Sequence, residues 1–142
     1  MTEHITRAAF RSRAVADIDA FPYVLKAPLV YASVLLDRVV TVPQGFVTDL
    51  YSIPWWLQRA LPRDEGHANA AAIVHDCLYR YASAGGLIVT QKMADQVLRE
   101  AMTAKGLPPW RRWVIYRGLR LFGWIAWEHY RDRDMEHPLG AV

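Results

Sequence analysis

Two predicted helices, separated by a four-residue breaker, constrain this chain more than any other feature. The segments 68–82 and 90–105 have helical patterns, and Ser83-Ala84-Gly85-Gly86 lies between them. Paired glycines interrupt helices and favour tight turns, so we expect the chain to reverse here and form an antiparallel helical hairpin over 68–105. Thr90 is the expected N-cap of the second helix, and Gly106 its expected end.

The hairpin brings together residues typical of acid–base chemistry. His75 and Tyr79 are four positions apart on the first helix, so they share a face. In a hairpin that turns near Gly86, Asp95 lies opposite that pair. A carboxylate beside an imidazole fixes the tautomer that a general base needs. Asp76 points about 100° away from His75 and is placed to hold a cation where an activated water attacks.

Two other interpretations of these residues stay open. His75, Tyr79 and Asp95 also suit a buried hydrogen-bonded network that fixes helix packing without chemistry. A phosphohydrolase metal site of His67, His75, Asp76 and Asp95 has the right residue types. However, His67 is close to His75 in sequence, whereas such a site draws its ligands from separate helices.

The chain before the hairpin predicts a small antiparallel sheet over about 22–49. Its β-branched and aromatic runs are Tyr23–Lys26, Leu29–Tyr31 and Val39–Val42, and Phe46–Asp49 follows as a short return. Ser52 is the expected N-cap of a short helix that runs to Leu61. Thr48, Asp49 and Ser52 are either functional loop residues or ordinary turn and capping residues.

A long helix is predicted over 109–131, beginning at Pro108-Pro109. Helical spacing gives it an apolar stripe that we expect in the core: Trp110, Val114, Gly118, Leu121 and Ile125. A second face mixes aromatic residues with arginines, and its candidate interface residues are Trp113, Arg117, Arg120, Trp124 and Trp127. Such a face suits a protein partner, a lipid headgroup layer, stacked bases, or packing within the chain itself.

The expected architecture is therefore α+β, with the sheet packed on the hairpin and on the long C-terminal helix. We expect one globular domain over 21–131, with an N-terminal arm at 1–20 and a tail at 132–142. A length of 142 residues with 53% hydrophobic and 22% charged residues is ordinary for a globular protein.

Charge and cysteine content narrow the function classes. The net charge of +3 favours nucleic acid only weakly, and nucleic acid is not an expected partner. The single cysteine, Cys77, excludes an internal disulfide and a Cys-based zinc site, and it is the expected inert thiol of a reducing compartment. The first ten residues lack the apolar region of a signal peptide. Arginines interrupt the apolar tract 110–127, so neither secretion nor a membrane span is expected.

Several ordered motifs within 21–128 resemble the phage and prophage family called domain of unknown function 1353. They are Val42-Pro43-x-Gly45-Phe46-x-Thr48-Asp49-x-x-Ser52-x-Pro54, His75-Asp76-x-Leu78-Tyr79-Arg80, Ala94-Asp95, Trp110-Arg111-Arg112 and Leu121-Phe122-Gly123. The family name carries no activity. The resemblance implies a phage-encoded origin, because members of that family are typically phage or prophage genes.

The His-Asp-x-x-Tyr helix paired with a helix that carries Asp is also similar to the catalytic hairpin of phospholipase A2. This resemblance implies that His75 activates water, that Asp76 binds calcium, and that Tyr79 and Asp95 support the histidine. The chain departs from secreted phospholipases in lacking disulfides and a clear glycine-rich calcium loop, for which 45–49 is the candidate substitute.

These observations lead to two functional expectations. The first is a phage-encoded accessory or virion-associated protein that hydrolyses an ester or a phospholipid, with calcium as its candidate cofactor. The second is a non-catalytic structural or assembly protein, associated with the tail, that uses the Trp/Arg face as an interface. In either case the expected partners are phage structural proteins or a membrane surface, and the expected location is the host cytoplasm or the virion.

Overall fold

A computed structural model describes residues 4–12, 23–48, 56 and 70–136, with the side chains of 134–136 excepted. Short strands precede and interrupt a set of helices, so the predicted α+β class is confirmed. In chain order the elements are β1 (Ala9–Phe10), β2 (Tyr23–Val24), β3 (Leu29–Ser33), β4 (Arg38–Val42), β5 (Val47–Thr48), α1 (Ala70–Tyr81), β6 (Ser83–Ala84), β7 (Leu87–Ile88), α2 (Gln91–Ala104), α3 (Pro109–Phe122) and α4 (Trp124–Glu136).

The strands pair antiparallel in three small groups. The largest has the order β1-β3-β4, while β2 pairs with β5 and β6 pairs with β7. The predicted sheet within 22–49 is confirmed, but its first strand comes from the segment expected to be an arm. Ala9 pairs with Ala32, and the side chain of Ile5 is buried nearby in sequence, so residues 4–12 are part of the packed structure. The predicted helix from Ser52 to Leu61 lies outside the described residues, apart from the helical residue Trp56.

Helix α1 is the centre of the fold. Every residue from Ala70 to Tyr79 is buried, because both neighbouring helices and strands pack around it. The three alanines at its start are small enough to let those elements approach closely. His75 and Asp76 are buried with the rest, so both side chains need hydrogen-bond partners inside the protein.

The hairpin between α1 and α2 is confirmed, and its turn is itself a small β-hairpin. Gly85 and Gly86 join β6 to β7 with φ of +54° and +83°. Positive φ at both central residues is the type I′ turn, which matches the twist of the strands and favours glycine. The predicted cap is also present, since the Thr90 hydroxyl accepts from the backbone N–H of Met93 at 3.2 Å. Gly106, at φ +84°, follows the end of α2.

Glu100 joins α2 to the sheet, and its sequence context gave no sign of this. One carboxylate oxygen accepts from the hydroxyls of Tyr31 at 2.7 Å and Ser33 at 2.8 Å, and the other accepts from the backbone N–H of Leu35 at 2.9 Å. Burial, and then the neighbouring carboxylate, raise the pKa of Tyr31 far above its usual range. The Tyr31 hydroxyl therefore stays protonated and keeps donating.

The predicted long C-terminal helix is divided into α3 and α4 at Gly123. The backbone of Gly123 stays near helical values, with φ −64° and ψ −20°, so the faces of the two helices run on from one to the next. α4 continues to Glu136, which is beyond the predicted end at Arg131. Within the parts of the chain that the structure describes, no helix combines the length and the hydropathy that a membrane crossing requires.

Candidate functional site

The predicted contact between the two arms of the hairpin is present. The Nε2 atom of His75 lies 2.8 Å from Oδ1 of Asp95, and the Tyr79 hydroxyl donates to the same oxygen at 2.6 Å. α1 supplies the imidazole and the phenol from one face, and the N-terminal half of α2 supplies the carboxylate. All three side chains are fully buried.

Arg120 completes this network, although the sequence suggested an interface role for it. Its Nη1 donates to the second oxygen of Asp95 at 2.8 Å. The Asp95 carboxylate therefore has an ion-pair partner in Arg120 as well as the imidazole and the phenol, which a buried carboxylate needs. The Arg120 side chain keeps 33% of its surface exposed, so it takes part in this network while its interface role stays a prediction.

Tyr79 is held in place by stacking as well as by its hydroxyl. Its ring lies 4.3 Å from the imidazole of His75 and meets the Trp127 ring edge-on at 5.2 Å, measured between centroids. Burial, followed by the charge of Asp95, raises the pKa of Tyr79 far above its usual range. The phenol is therefore a permanent donor. Trp127 is half-buried against it, so this member of the candidate interface belongs partly to the core.

The contact with Asp95 is made by the Nε2 atom of His75. A carboxylate only accepts hydrogen bonds, so the contact with Asp95 requires that Nε2 carries the proton. In base catalysis the proton would then be taken up at Nδ1. The arrangement matches the predicted base and its orienting carboxylate. However, the imidazole has no solvent exposure, and water reaches it only if the surrounding structure opens.

Asp76 lies beside this network and has its own partners. The Thr48 hydroxyl donates to Oδ2 at 2.6 Å, and the Tyr130 hydroxyl donates to Oδ1 at 3.1 Å. Thr48 was a candidate loop residue, and its role is to satisfy a buried carboxylate. Tyr130 was not foreseen. Asp49, Ser52 and His67, which the sequence also raised, lie outside the described residues.

The donor set around Asp76 does not by itself fit calcium. Among the described residues no group of three or more His, Cys, Asp or Glu side chains is placed to bind a metal ion. Ca²⁺ takes about six to eight oxygen ligands, and both oxygens of Asp76 already accept hydrogen bonds from hydroxyls. Calcium binding at Asp76 therefore stays a prediction of the phospholipase resemblance.

Cys77 follows Asp76 on α1 and is chemically quiet. Burial, together with the neighbouring carboxylate, raises the pKa of Cys77 to about 12. A thiol is nucleophilic only as the thiolate, so this side chain is an inert part of the core at neutral pH, as the sequence predicted.

The opposite side of the C-terminal helices is an exposed apolar surface, and here the predicted core stripe is wrong. Gly118 is buried as predicted, but the other stripe residues are exposed, because the helix packs through Ile115 and Leu119 instead. Trp113 and Trp124 are more than half exposed, and Arg117 is exposed too, as an interface requires. We call the resulting surface the aromatic face; it consists of Trp110, Trp113, Val114, Arg117, Leu121, Trp124 and Ile125.

Comparison with known proteins identifies a family but no activity. No curated protein and no solved structure matches the chain. The family described as "Protein of unknown function (DUF1353)" matches residues 23–119. The matched region includes His75, Asp76, Tyr79 and Asp95, and it extends through most of α3. Because the match covers more than half of the 142 residues, this chain belongs to the DUF1353 family of proteins of unknown function.

Proposed function

We propose that this chain is a non-catalytic assembly protein, encoded by a phage or prophage and associated with the tail, that docks a structural protein through its aromatic face. The observation that carries the proposal is the exposure of that face. Trp110 and Trp113 are each 63% exposed, and Leu121 is 66% exposed. Contiguous apolar surface of this kind marks interaction sites in proteins that otherwise bury such side chains.

The chemistry of the face suits a protein partner. α3 carries four arginines and no acidic residue. Two of them lie over exposed indoles, Arg111 over Trp110 at 5.3 Å and Arg117 over Trp113 at 5.9 Å. Trp and Arg are the residues most enriched at binding hot spots, and stacking limits the side-chain entropy that docking would cost. A partner with an apolar centre and an acidic rim would complement this surface.

The enclosed network supports a structural role as well. His75, Tyr79 and Asp95 have no exposed surface, and Arg120 closes the remaining side of the carboxylate. Together they tie α1, α2 and α3 to one another and hold the aromatic face on a fixed support. Rigid placement of anchor residues is what a docking surface requires.

Particles of the phage that carries this gene test the proposal. We expect mass spectrometry to detect the wild-type protein in purified particles. The Trp113→Glu protein should be absent from them. Truncating or charging a hot-spot residue costs at least about 2 kcal/mol of binding, which is roughly thirtyfold in affinity. Ile88→Glu is the matched control, because Ile88 is 80% exposed on β7, outside the aromatic face.

Both variants should keep the wild-type free energy of unfolding, since both side chains are exposed. If the Trp113→Glu protein entered particles in the same amount as the wild-type protein, the proposal would be contradicted. A wild-type protein that is absent from particles, but sediments with anionic lipid vesicles through the same residue, would identify a membrane surface instead.

A second candidate function is hydrolysis of an ester or phospholipid, with His75 as the base. The specific observation in its favour is the short contact between Nε2 of His75 and Oδ1 of Asp95, 2.8 Å, with Tyr79 on the same oxygen. In this reaction Nδ1 of His75 would take a proton from water as the water attacks the ester carbonyl, and the imidazolium would give that proton to the leaving alkoxide as the ester C–O bond breaks. Opening of the surrounding structure would be needed for each turnover.

For this enzyme, His75→Gln should lower hydrolysis of a fluorogenic phospholipid by roughly 10²–10⁴-fold, because the amide cannot act as a base. His129→Gln is the matched control, since His129 is exposed on α4. Wild-type protein that hydrolyses no ester or phospholipid with any divalent ion would exclude this candidate.

Calcium is tested separately by thermal unfolding. The phospholipase resemblance predicts that millimolar calcium raises the melting temperature by mass action and that Asp76→Asn abolishes the rise. A melting curve that does not respond to calcium would leave Asp76 as a hydrogen-bonded structural residue, with Thr48 and Tyr130 among its partners.

A further inference from the structure

A polar pocket is lined by Asp76, and its described lining residues include no member of the aromatic face. It has a volume of about 400 Å³, which is within the range of about 300–1,000 Å³ typical of small-molecule sites. The turn that leads into β5 forms one wall, the C-terminal half of α1 forms the second, and α4 forms the third.

The charges that line this pocket favour an anion. Among its described lining residues the charged side chains are Asp76, Arg80 and Arg133. Asp76 is a buried member of this lining and accepts hydrogen bonds from Thr48 and Tyr130. Arg80 and Arg133 come from different helices, so two guanidinium groups reach one space from two sides. Guanidinium groups bind carboxylate and phosphate oxygens with charge-assisted hydrogen bonds.

Two features of the pocket would oppose an anion: the carboxylate of Asp76, whose oxygens already accept hydrogen bonds from Thr48 and Tyr130, and the C-terminus of α1. α1 ends beside the pocket, and the carbonyl groups at a helix C-terminus carry partial negative charge. Nη2 of Arg131 donates to two of these carbonyls, at 2.6 Å to Tyr79 and 3.0 Å to Arg80. A third guanidinium therefore neutralises this helix end.

The remaining surface of the pocket is aromatic. The rings of Phe46 and Tyr81 lie 6.1 Å apart at a tilt of 47°, and both line the space. The guanidinium of Arg80 lies 5.6 Å from the centre of the Tyr81 ring, which limits the conformations available to both side chains. A flat apolar group can contact these rings while a charged group attached to it meets the arginines.

We infer that this pocket binds a small organic anion, whose carboxylate or phosphate is held by Arg80 and Arg133 and whose flat apolar part contacts Phe46 and Tyr81. The inference is independent of the aromatic face, which lies on the outer side of α3 and the start of α4. It concerns binding alone and assigns no reaction.

Titration calorimetry of the full chain tests the inference with four probes. Phenyl phosphate and benzoate carry both parts of the ligand, inorganic phosphate carries only the charge, and phenol carries only the ring. We expect saturable binding of phenyl phosphate or benzoate at millimolar concentration or below, with weaker binding of the two partial probes. The charged group of the ligand is then assigned as phosphate if phenyl phosphate binds more tightly, and as carboxylate if benzoate does.

Charge-neutral variants locate the site. Arg80→Gln and Arg133→Gln should each weaken binding by about tenfold, because each removes a charge-assisted contact. Arg99→Gln should leave binding unchanged. It is a close match for Arg80→Gln, since Arg99 also lies over a tyrosine ring, Tyr116 at 4.4 Å, but on exposed surface of α2.

NMR on the wild-type protein keeps the test valid if a variant fails to fold. Probe-induced shifts centred on the Val47 methyl groups, which line the pocket, would support the site. Absence of saturable binding by both organic anions would overturn the inference. So would shifts centred elsewhere, equal affinity for phenol and phenyl phosphate, or unchanged affinity in both arginine variants.

Discussion

Asp95→Ala should be among the most destabilising single substitutions in this chain, lowering the free energy of unfolding by about 3–5 kcal/mol. The substitution removes the acceptor of His75 and Tyr79, and it leaves the Arg120 guanidinium without its carboxylate. Breaking a buried ion pair by removing one partner typically costs this much, and a domain has only about 5–15 kcal/mol in total. Urea unfolding monitored by tryptophan fluorescence measures the loss.

Lys92→Ala is the control for this substitution, because Lys92 is exposed on the same helix and should change stability by no more than about 0.5 kcal/mol. Tyr79→Phe removes one donor and leaves the ion pair, so its cost should be smaller, about 1–3 kcal/mol. An Asp95→Ala protein within 1 kcal/mol of wild type would mean that the network contributes little to stability. The functional importance of its geometry would then have to lie in chemistry.

Gly123→Ala should destabilise the protein by about 2 kcal/mol, although alanine is the better helix former by about 1 kcal/mol. A Cβ atom at this position would lie 2.6 Å from the Tyr79 hydroxyl oxygen and 2.6 Å from the carbonyl oxygen of Leu119. Overpacking of this kind costs about 1–3 kcal/mol, and moving the Tyr79 hydroxyl would also disturb its contact with Asp95. Thermal or urea unfolding measures the net effect.

A double-mutant cycle identifies the cause. If the clash with the hydroxyl is responsible, Gly123→Ala and Tyr79→Phe together should cost less than the sum of their separate effects. Gly86→Ala is the control glycine, because its φ of +83° makes alanine unfavourable while no atom lies within 4 Å of the added Cβ. Its effect should add to that of Tyr79→Phe. Additive effects for Gly123→Ala as well would place the damage at the backbone instead.

The hairpin and its His75–Tyr79–Asp95 contact could be predicted from sequence because they depend on local rules. Helical spacing puts His75 and Tyr79 on one face, and the paired glycines fix where the chain reverses. With the turn located, the position of Asp95 opposite the pair follows from helix geometry.

The partners of these residues from later in the chain could not be predicted in the same way. Arg120 is 25 residues from Asp95, and Tyr130 is 54 residues from Asp76. Whether such residues meet depends on the angle at which α3 and α4 cross the hairpin, and neither composition nor periodicity determines that angle. Glu100 was missed for a related reason, because a glutamate on a helix ordinarily indicates an exposed surface position.

The aromatic face shows where periodicity itself is ambiguous. The segment 110–127 is apolar on more than one side, and its periodicity predicts that the stripe of Trp110, Leu121 and Ile125 lies in the core. In the structure the buried residues of α3 are Ile115, Gly118 and Leu119. A small residue between two branched ones fits closely against the buried helices, whereas indoles would hold the helices apart. The volume of the side chains therefore determines which face of α3 is buried, and a hydropathy pattern contains no information on volume.

The polar groups of α1 take hydrogen-bond partners from distant parts of the chain, and this has a consequence for folding during synthesis. Asp76 depends on Thr48 before the helix and on Tyr130 after it, while the carbonyl of Tyr79 depends on Arg131, 52 residues later. On the ribosome, α1, the most buried of the described helices, therefore emerges well before Tyr130 and Arg131, which satisfy some of its polar groups. The hairpin can form early during synthesis. The Asp76 carboxylate and the carbonyl groups at the end of α1 stay hydrated until α4 has been synthesised. The polar groups of α1 thus gain these partners only after α4 has been translated.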